Sequence, residues 1–126
     1  MAVTFELDGA PEAVGKARHA VENAASRWVT GETLETTRLL VSEIVTNGIV
    51  HGGGGQPLEI SVCGTDGELR VEVRDFGPGF VPQPGAMGSE RAGFGLFLVE
   101  RLADRWGVAR DGRTRVWFEL SQSSEQ

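Results

Sequence analysis

Between Leu39 and Gly52 the chain reads LLVSEIVTNGIVHG. Its apolar positions Leu40, Val41, Ile44 and Val45 recur at helical spacing, with Gly48 on the same face. Glu43 and Asn47 are four residues apart and so stand one above the other beside that stripe. The pattern predicts an amphipathic helix that buries one side and carries a carboxylate and an amide along its edge. Taken alone, that edge is equally a partly solvated border, because helices carry such borders routinely.

The same reading extends along the chain. Val3 to Leu7 alternates as a short strand, and Asp8-Gly9 is a turn signal. Pro11 suits the first turn of a helix running to about Val29, with Val14, Ala17, Val21, Ala24, Ala25 and Trp28 on its apolar stripe. Thr30-Gly31 breaks that helix. Thr30 or Thr33 is placed to cap the central one, with Glu35 in its first turn. Gly52 to Gly55 ends the central helix. Lacking a Gly-Lys-Ser or Gly-Lys-Thr pattern, this run is not a P-loop and reads as a flexible connector. Leu58 to Cys63 and Glu68 to Arg74 are strands joined through Thr65-Asp66-Gly67, with Leu69, Val71 and Val73 sharing a face. Gly77 to Gly88 is rich in glycine and proline and has no periodicity, as a functional loop or nucleotide lid would. Gly93 to Trp106 returns to helical period. Val108 and Thr114 to Leu120 form a closing hairpin around Asp111-Gly112, with Trp117 and Phe118 on opposite faces. Ser121 to Gln126 is polar and reads as a frayed end.

Length and composition narrow the class. The 126 residues suffice for one domain, 1–126, with its own core, and neither a repeat nor a second domain is visible. No signal-peptide pattern or bilayer-length apolar run is present, so no membrane association is expected. Cys63, in an apolar strand, reads as a buried structural thiol, and a cytoplasmic location fits a single cysteine. The net charge of −6 argues against direct binding of nucleic acid, which demands clustered Lys and Arg. A nucleotide is still allowed, since Mg2+ and a helix N-terminus can hold phosphates on an acidic protein. Arg18, His19 and Arg27 form either a solvated face or a partner-binding one.

Two further segments bear on chemistry. In VRDFGPGF, Asp75 follows a strand and precedes Gly77 and Gly79. A carboxylate at a pocket floor accepts a hydrogen bond from an exocyclic amine, which selects adenine over guanine, and neighbouring glycines let the backbone approach a flat base. Asp-x-Gly is also common turn chemistry. Gly93-Phe94-Gly95-Leu96 opens a helix whose first amides suit a phosphate, or is a glycine-rich start with no ligand. Arg91 is an exposed arginine or one that reaches a terminal phosphate. His51 reads as a packed or hydrogen-bonded residue rather than a catalyst. There is no His/Cys metal cluster and no Ser-His-Asp arrangement.

Glu43-x-x-x-Asn47, Asp75-x-Gly77-x-Gly79 and Gly93-x-Gly95-Leu96, in this order, resemble the N box and the two glycine boxes of the GHKL ATPases. Within that superfamily the chain is similar to single-domain anti-sigma-factor serine/threonine kinases. The resemblance implies an α/β Bergerat fold: a two-layer α+β sandwich with a mixed, mostly antiparallel sheet and three helices on one face. It implies ATP and Mg2+ as cofactors, with Asp75 on the adenine amine and Gly77, Gly79, Gly93, Gly95 and Leu96 around the nucleotide. It gives Thr114 the support of the adenine end, Asn47 the Mg2+, and Glu43 the role of general base toward a substrate hydroxyl. The implied partners are a small antagonist protein and a sigma factor, and relatives with sigma-binding roles often form homodimers. Retention of Glu43 favours a kinase over the alternative, a non-catalytic nucleotide-dependent binding module. A histidine-kinase fragment is disfavoured, since no helix pair bearing a phosphoacceptor His is present.

Overall fold

A computed structural model describes residues 2–51, 55–75, 96–110 and 114–122. In chain order they form β1 (Ala2–Gly9), α1 (Ala13–Ala25), α2 (Gly31–His51), β2 (Gly55–Thr65), β3 (Glu68–Asp75), α3 (Phe97–Leu102), β4 (Arg105–Arg110) and β5 (Thr114–Ser121). The strands make one five-stranded sheet in the order β1-β2-β3-β5-β4. All four pairings are antiparallel, so among the described residues the sheet has no parallel component.

Alternation along the strands separates two faces. Leu69, Val71, Val73 and Asp75 of β3 point inward with Val116, Phe118 and Leu120 of β5 and Leu58, Ile60 and Val62 of β2. Ala17, Val21, Leu40, Val41, Ile44, Val45 and Val99 of the three helices close on that face in a single buried cluster. The stripe read in the central helix is therefore its core face, extended toward the N-terminus by buried Thr33 and Thr37. The outer face carries an ion-pair ladder instead: Glu59–Arg74 at 3.2 Å, Arg74–Glu72 at 3.1 Å, Arg70–Glu119 at 2.9 Å and Arg105–Glu119 at 3.4 Å. The Arg70 guanidinium also lies 4.2 Å over the Trp117 ring. Trp117 and Phe118 thus face opposite ways, Phe118 fully buried.

Several boundaries differ from the pattern's prediction. Helical structure past Leu96 stops at Leu102, where Ala103 turns extended with φ −81° and ψ 147°. Arg105 and Trp106 belong to β4, paired with Glu119 and Phe118. Their helical spacing is overruled because the strand register supplies backbone partners and buries one face. The first helix ends at Ala25, followed by a turn in which the Trp28 amide donates to Ala25. The central helix begins at Gly31 (φ +57°), so Thr33 lies within it, its carbonyl accepting from the Thr37 hydroxyl at 2.8 Å; Glu32, not Glu35, is in the first turn. Cys63 is half-buried on the outer side, opposite Arg70, rather than in the core. Arg18 is engaged with Ser42 of α2 at 3.0 Å.

One end of the sandwich is strapped shut. Trp28 packs so closely on Gly64 that an added Cβ would stand 2.6 Å from its ring. The Trp28 carbonyl accepts from Gly67, and the Gln122 side chain accepts from the Thr30 amide at 2.9 Å. The candidate chemistry lies at the other end.

Candidate functional site

The register gathers the inward residues of that other end. Asp75 closes β3 and pairs with Leu58 of β2. One step beyond the Arg74–Arg115 pair stands Thr114, the first residue of β5. Both are inward-facing and buried, Asp75 at 4% and Thr114 at 6% exposure.

The last turns of α2 reach over the same end. A Cβ at Gly48 would meet Leu58 Cδ2 at 3.2 Å and Val73 Cγ1 at 3.6 Å, so the missing side chain lets the helix approach β2 and β3 closely. Asn47, beside Gly48, is 5% exposed. Asn47, Asp75 and Thr114 are each held by further contacts. A carboxylate, an amide and a hydroxyl thus converge at the rim between α2 and the sheet. As a donor and acceptor set they fit a nucleotide: the carboxylate suits an amine and the amide oxygen a hard cation.

Glu43 is one turn earlier on the same edge of α2 and half-buried. Its carboxylate accepts two backbone hydrogen bonds from the first turn of α3: Val99 N–H to Oε1 at 2.8 Å and Leu98 N–H to Oε2 at 3.2 Å. Leu96 is fully buried just ahead of α3, and its carbonyl accepts from the Glu100 amide at 3.1 Å. The structure therefore brings Asn47, Asp75 and Thr114 to one end, and Glu43 and Leu96 to the α2–α3 contact. Gly77, Gly79, Arg91, Gly93 and Gly95, the expected lid 77–88 and the loop at 52–54 lie outside the described residues, as does the His51 side chain.

The link between Glu43 and α3 was not legible in the sequence, because it joins positions 55 and 56 apart. The sequence, read as a helix from Gly93, carried no signal of it; the structure shows what the link replaces. Leu96 occupies the N-cap of α3 and supplies no side-chain cap.

A groove of about 340 Å³ opens at the opposite, strapped end, lined by Cys63, Leu69, Arg70, Arg105 and Glu119 among others. Within it Arg70 and Arg105 both pair with Glu119, and the Asp104 carboxylate accepts from the Ser121 amide. Among the described residues no group of three or more His, Cys, Asp or Glu side chains is disposed to hold a metal, and no helix is long and apolar enough to cross a membrane.

An antiparallel sheet with helices on one face, and an amide and a carboxylate at the rim between them, is the arrangement of a GHKL nucleotide domain. The chain belongs to the histidine kinase-like ATPase domain family, which matches residues 7–120. Within it the chain is similar to a serine-protein kinase and to an anti-sigma factor. It is 30% identical over 119 residues to the serine-protein kinase RsbW of Listeria monocytogenes, covering 81% of this chain and 75% of that protein. It is 32% identical over 86 residues to the anti-sigma F factor of Clostridium botulinum, covering 58% of this chain and 59% of that one. The fold is shared with part of a Mycobacterium tuberculosis structure that comprises RsbU and RsbW domains (TM-score 0.73, 17% identity, 96% of this chain and 32% of that chain). It is shared also with the catalytic domain of the histidine kinase ThkA (TM-score 0.54, 16% identity, 96% and 95%).

Proposed function

We propose that this chain is an ATP- and Mg2+-dependent serine/threonine protein kinase of the anti-sigma-factor type. It phosphorylates a small antagonist protein in the cytoplasm and regulates transcription by sequestering a sigma factor. The observation that carries the reading is the edge of α2. Glu43 and Asn47 stand one turn apart there, with Asn47 buried over the sheet end that holds Asp75 and Thr114. Bound ATP supplies the phosphoryl group, and Mg2+ offsets the charge on its phosphates.

The chain's own residues do the rest. Asp75 accepts from the adenine amine and thereby selects against guanine, and Thr114 supports that end of the base. Asn47 offers its amide oxygen to the metal. Glu43 would receive the proton of the substrate's Ser or Thr hydroxyl as that oxygen bonds to the γ-phosphorus and ADP leaves. Gly77, Gly79, Gly93, Gly95 and Leu96 belong to this reading through the motif likeness alone.

One observation favours the second reading, a nucleotide-dependent binding module without transfer. Both Glu43 carboxylate oxygens already accept hydrogen bonds from α3. A transfer assay separates the two. With labelled ATP, Mg2+ and candidate small antagonist proteins, label on a Ser or Thr that disappears in Glu43→Ala supports the kinase. ATP binding with no transfer to any candidate leaves the binding module.

A further inference from the structure

We infer that Glu43 is a positioning residue for the nucleotide as well as the candidate base: its carboxylate caps α3 from outside and so anchors the chain where it leaves the second glycine box. The inference rests on the nucleotide-binding reading above and goes beyond it. Removing a group that acts only as a base relieves repulsion of the phosphates and does not weaken ATP binding, whereas Glu43 also holds the start of α3.

The argument starts from what α3 lacks. It has six residues, well under the length at which an isolated helix holds itself together. The first amides of any helix have no intrahelical acceptor and take a cap from a neighbouring side chain. Here the N-cap is Leu96, which has no polar atom to offer. The Leu98 and Val99 amides turn instead to the two oxygens of Glu43 on α2. A carboxylate on amides at a helix start is a charge-assisted pairing, stronger than a neutral one and favoured by the helix dipole. Leu96 and Val99, both fully buried, hold the same turn from the apolar side. The start of α3 is therefore secured by apolar burial below and by one carboxylate at its rim.

The segment Gly93-Phe94-Gly95 directly precedes Leu96 in the chain. Leu96 is the last position of the Gly93-x-Gly95-Leu96 motif, so whatever secures Leu96 to Val99 holds that motif at its last residue. Removing the carboxylate leaves two amides at a half-buried contact without their acceptor and frees the first turn to fray. A loosened α3 start then has to be ordered each time a nucleotide binds, which weakens affinity.

Glu43→Gln and Glu43→Ala distinguish the two roles, because an amide keeps one acceptor oxygen but is no base. Phosphate transfer is expected to be lost equally in both. Amide exchange at Leu98 and Val99, followed by NMR in the nucleotide-free protein, is expected to quicken about tenfold in Glu43→Ala and less in Glu43→Gln. The Kd for ATP with Mg2+, from calorimetry, is expected to rise in the same order, again by about tenfold for Glu43→Ala. Wild-type exchange and wild-type Kd in both variants, with transfer alone abolished, overturns the inference and leaves Glu43 as a base only. A wild-type protein that binds no ATP overturns the nucleotide reading and this inference with it. Binding by wild type with unchanged variants overturns the inference alone.

Discussion

Gly48 of α2 sits directly over Leu58 of β2: a Cβ at Gly48 would stand 3.2 Å from Leu58 Cδ2. Leu58 in turn pairs with Asp75 across the β2–β3 ladder. The depth at which α2 lies on the sheet, and hence the burial of Asn47, depends on position 48 lacking a side chain. Gly48→Val is expected to lift the helix and destabilise the fold by about 1–3 kcal/mol, with ATP binding lost in parallel. Gly48→Ala should be milder, since better helix propensity returns up to about 1 kcal/mol. Urea unfolding reads both; a Gly48→Val midpoint equal to wild type would show that the helix does not press on Leu58.

Asp75 tests the selection of the base. Asp75→Asn replaces a charged acceptor by a neutral one and is expected to weaken ATP binding about tenfold. Calorimetry with ATP and with GTP is the measurement. Equal ATP affinity in the variant and wild type would sink the adenine assignment.

Asn47 tests the metal. Asn47→Ala removes an amide oxygen, and its expected effect is on Mg2+ dependence: ATP affinity in the variant should be the same with and without the ion. A Mg2+ titration indistinguishable from wild type would count against the role.

The outer face should respond weakly. Arg70 holds Glu119 at 2.9 Å, Glu72 at 3.3 Å and the Trp117 ring at 4.2 Å. Its truncation to Ala is expected to cost about 1–2 kcal/mol, much of it from lost stacking. Glu59→Gln weakens a single partly exposed pair and is expected to change stability by under about 0.5 kcal/mol, less still at high salt. A loss above 2 kcal/mol for Glu59→Gln would mean that the ladder acts as a cooperative unit.

Local pattern carried a large part of this molecule. The four-residue step from Glu43 to Asn47, the stripe from Leu40 to Val45 and the alternation from Leu69 to Val73 each follow from a period of one element, which sequence alone displays. Hence α1, α2, the β2–β3 hairpin, the likeness to the GHKL boxes and the inward sides of α2 and β3 were legible in the sequence itself. Tertiary structure decided three things that no period encodes. The β4–β5 register drew Arg105 and Trp106 out of a helical pattern, because pairing with Glu119 and Phe118 satisfies their backbone. The open approach at Gly48 brought Asn47 to the sheet end of Asp75 and Thr114. The carboxylate of Glu43 found its donors on α3, 55 and 56 residues away. The physical reason is the same in each case: a backbone group or a buried surface is satisfied by whichever distant segment the fold brings to it.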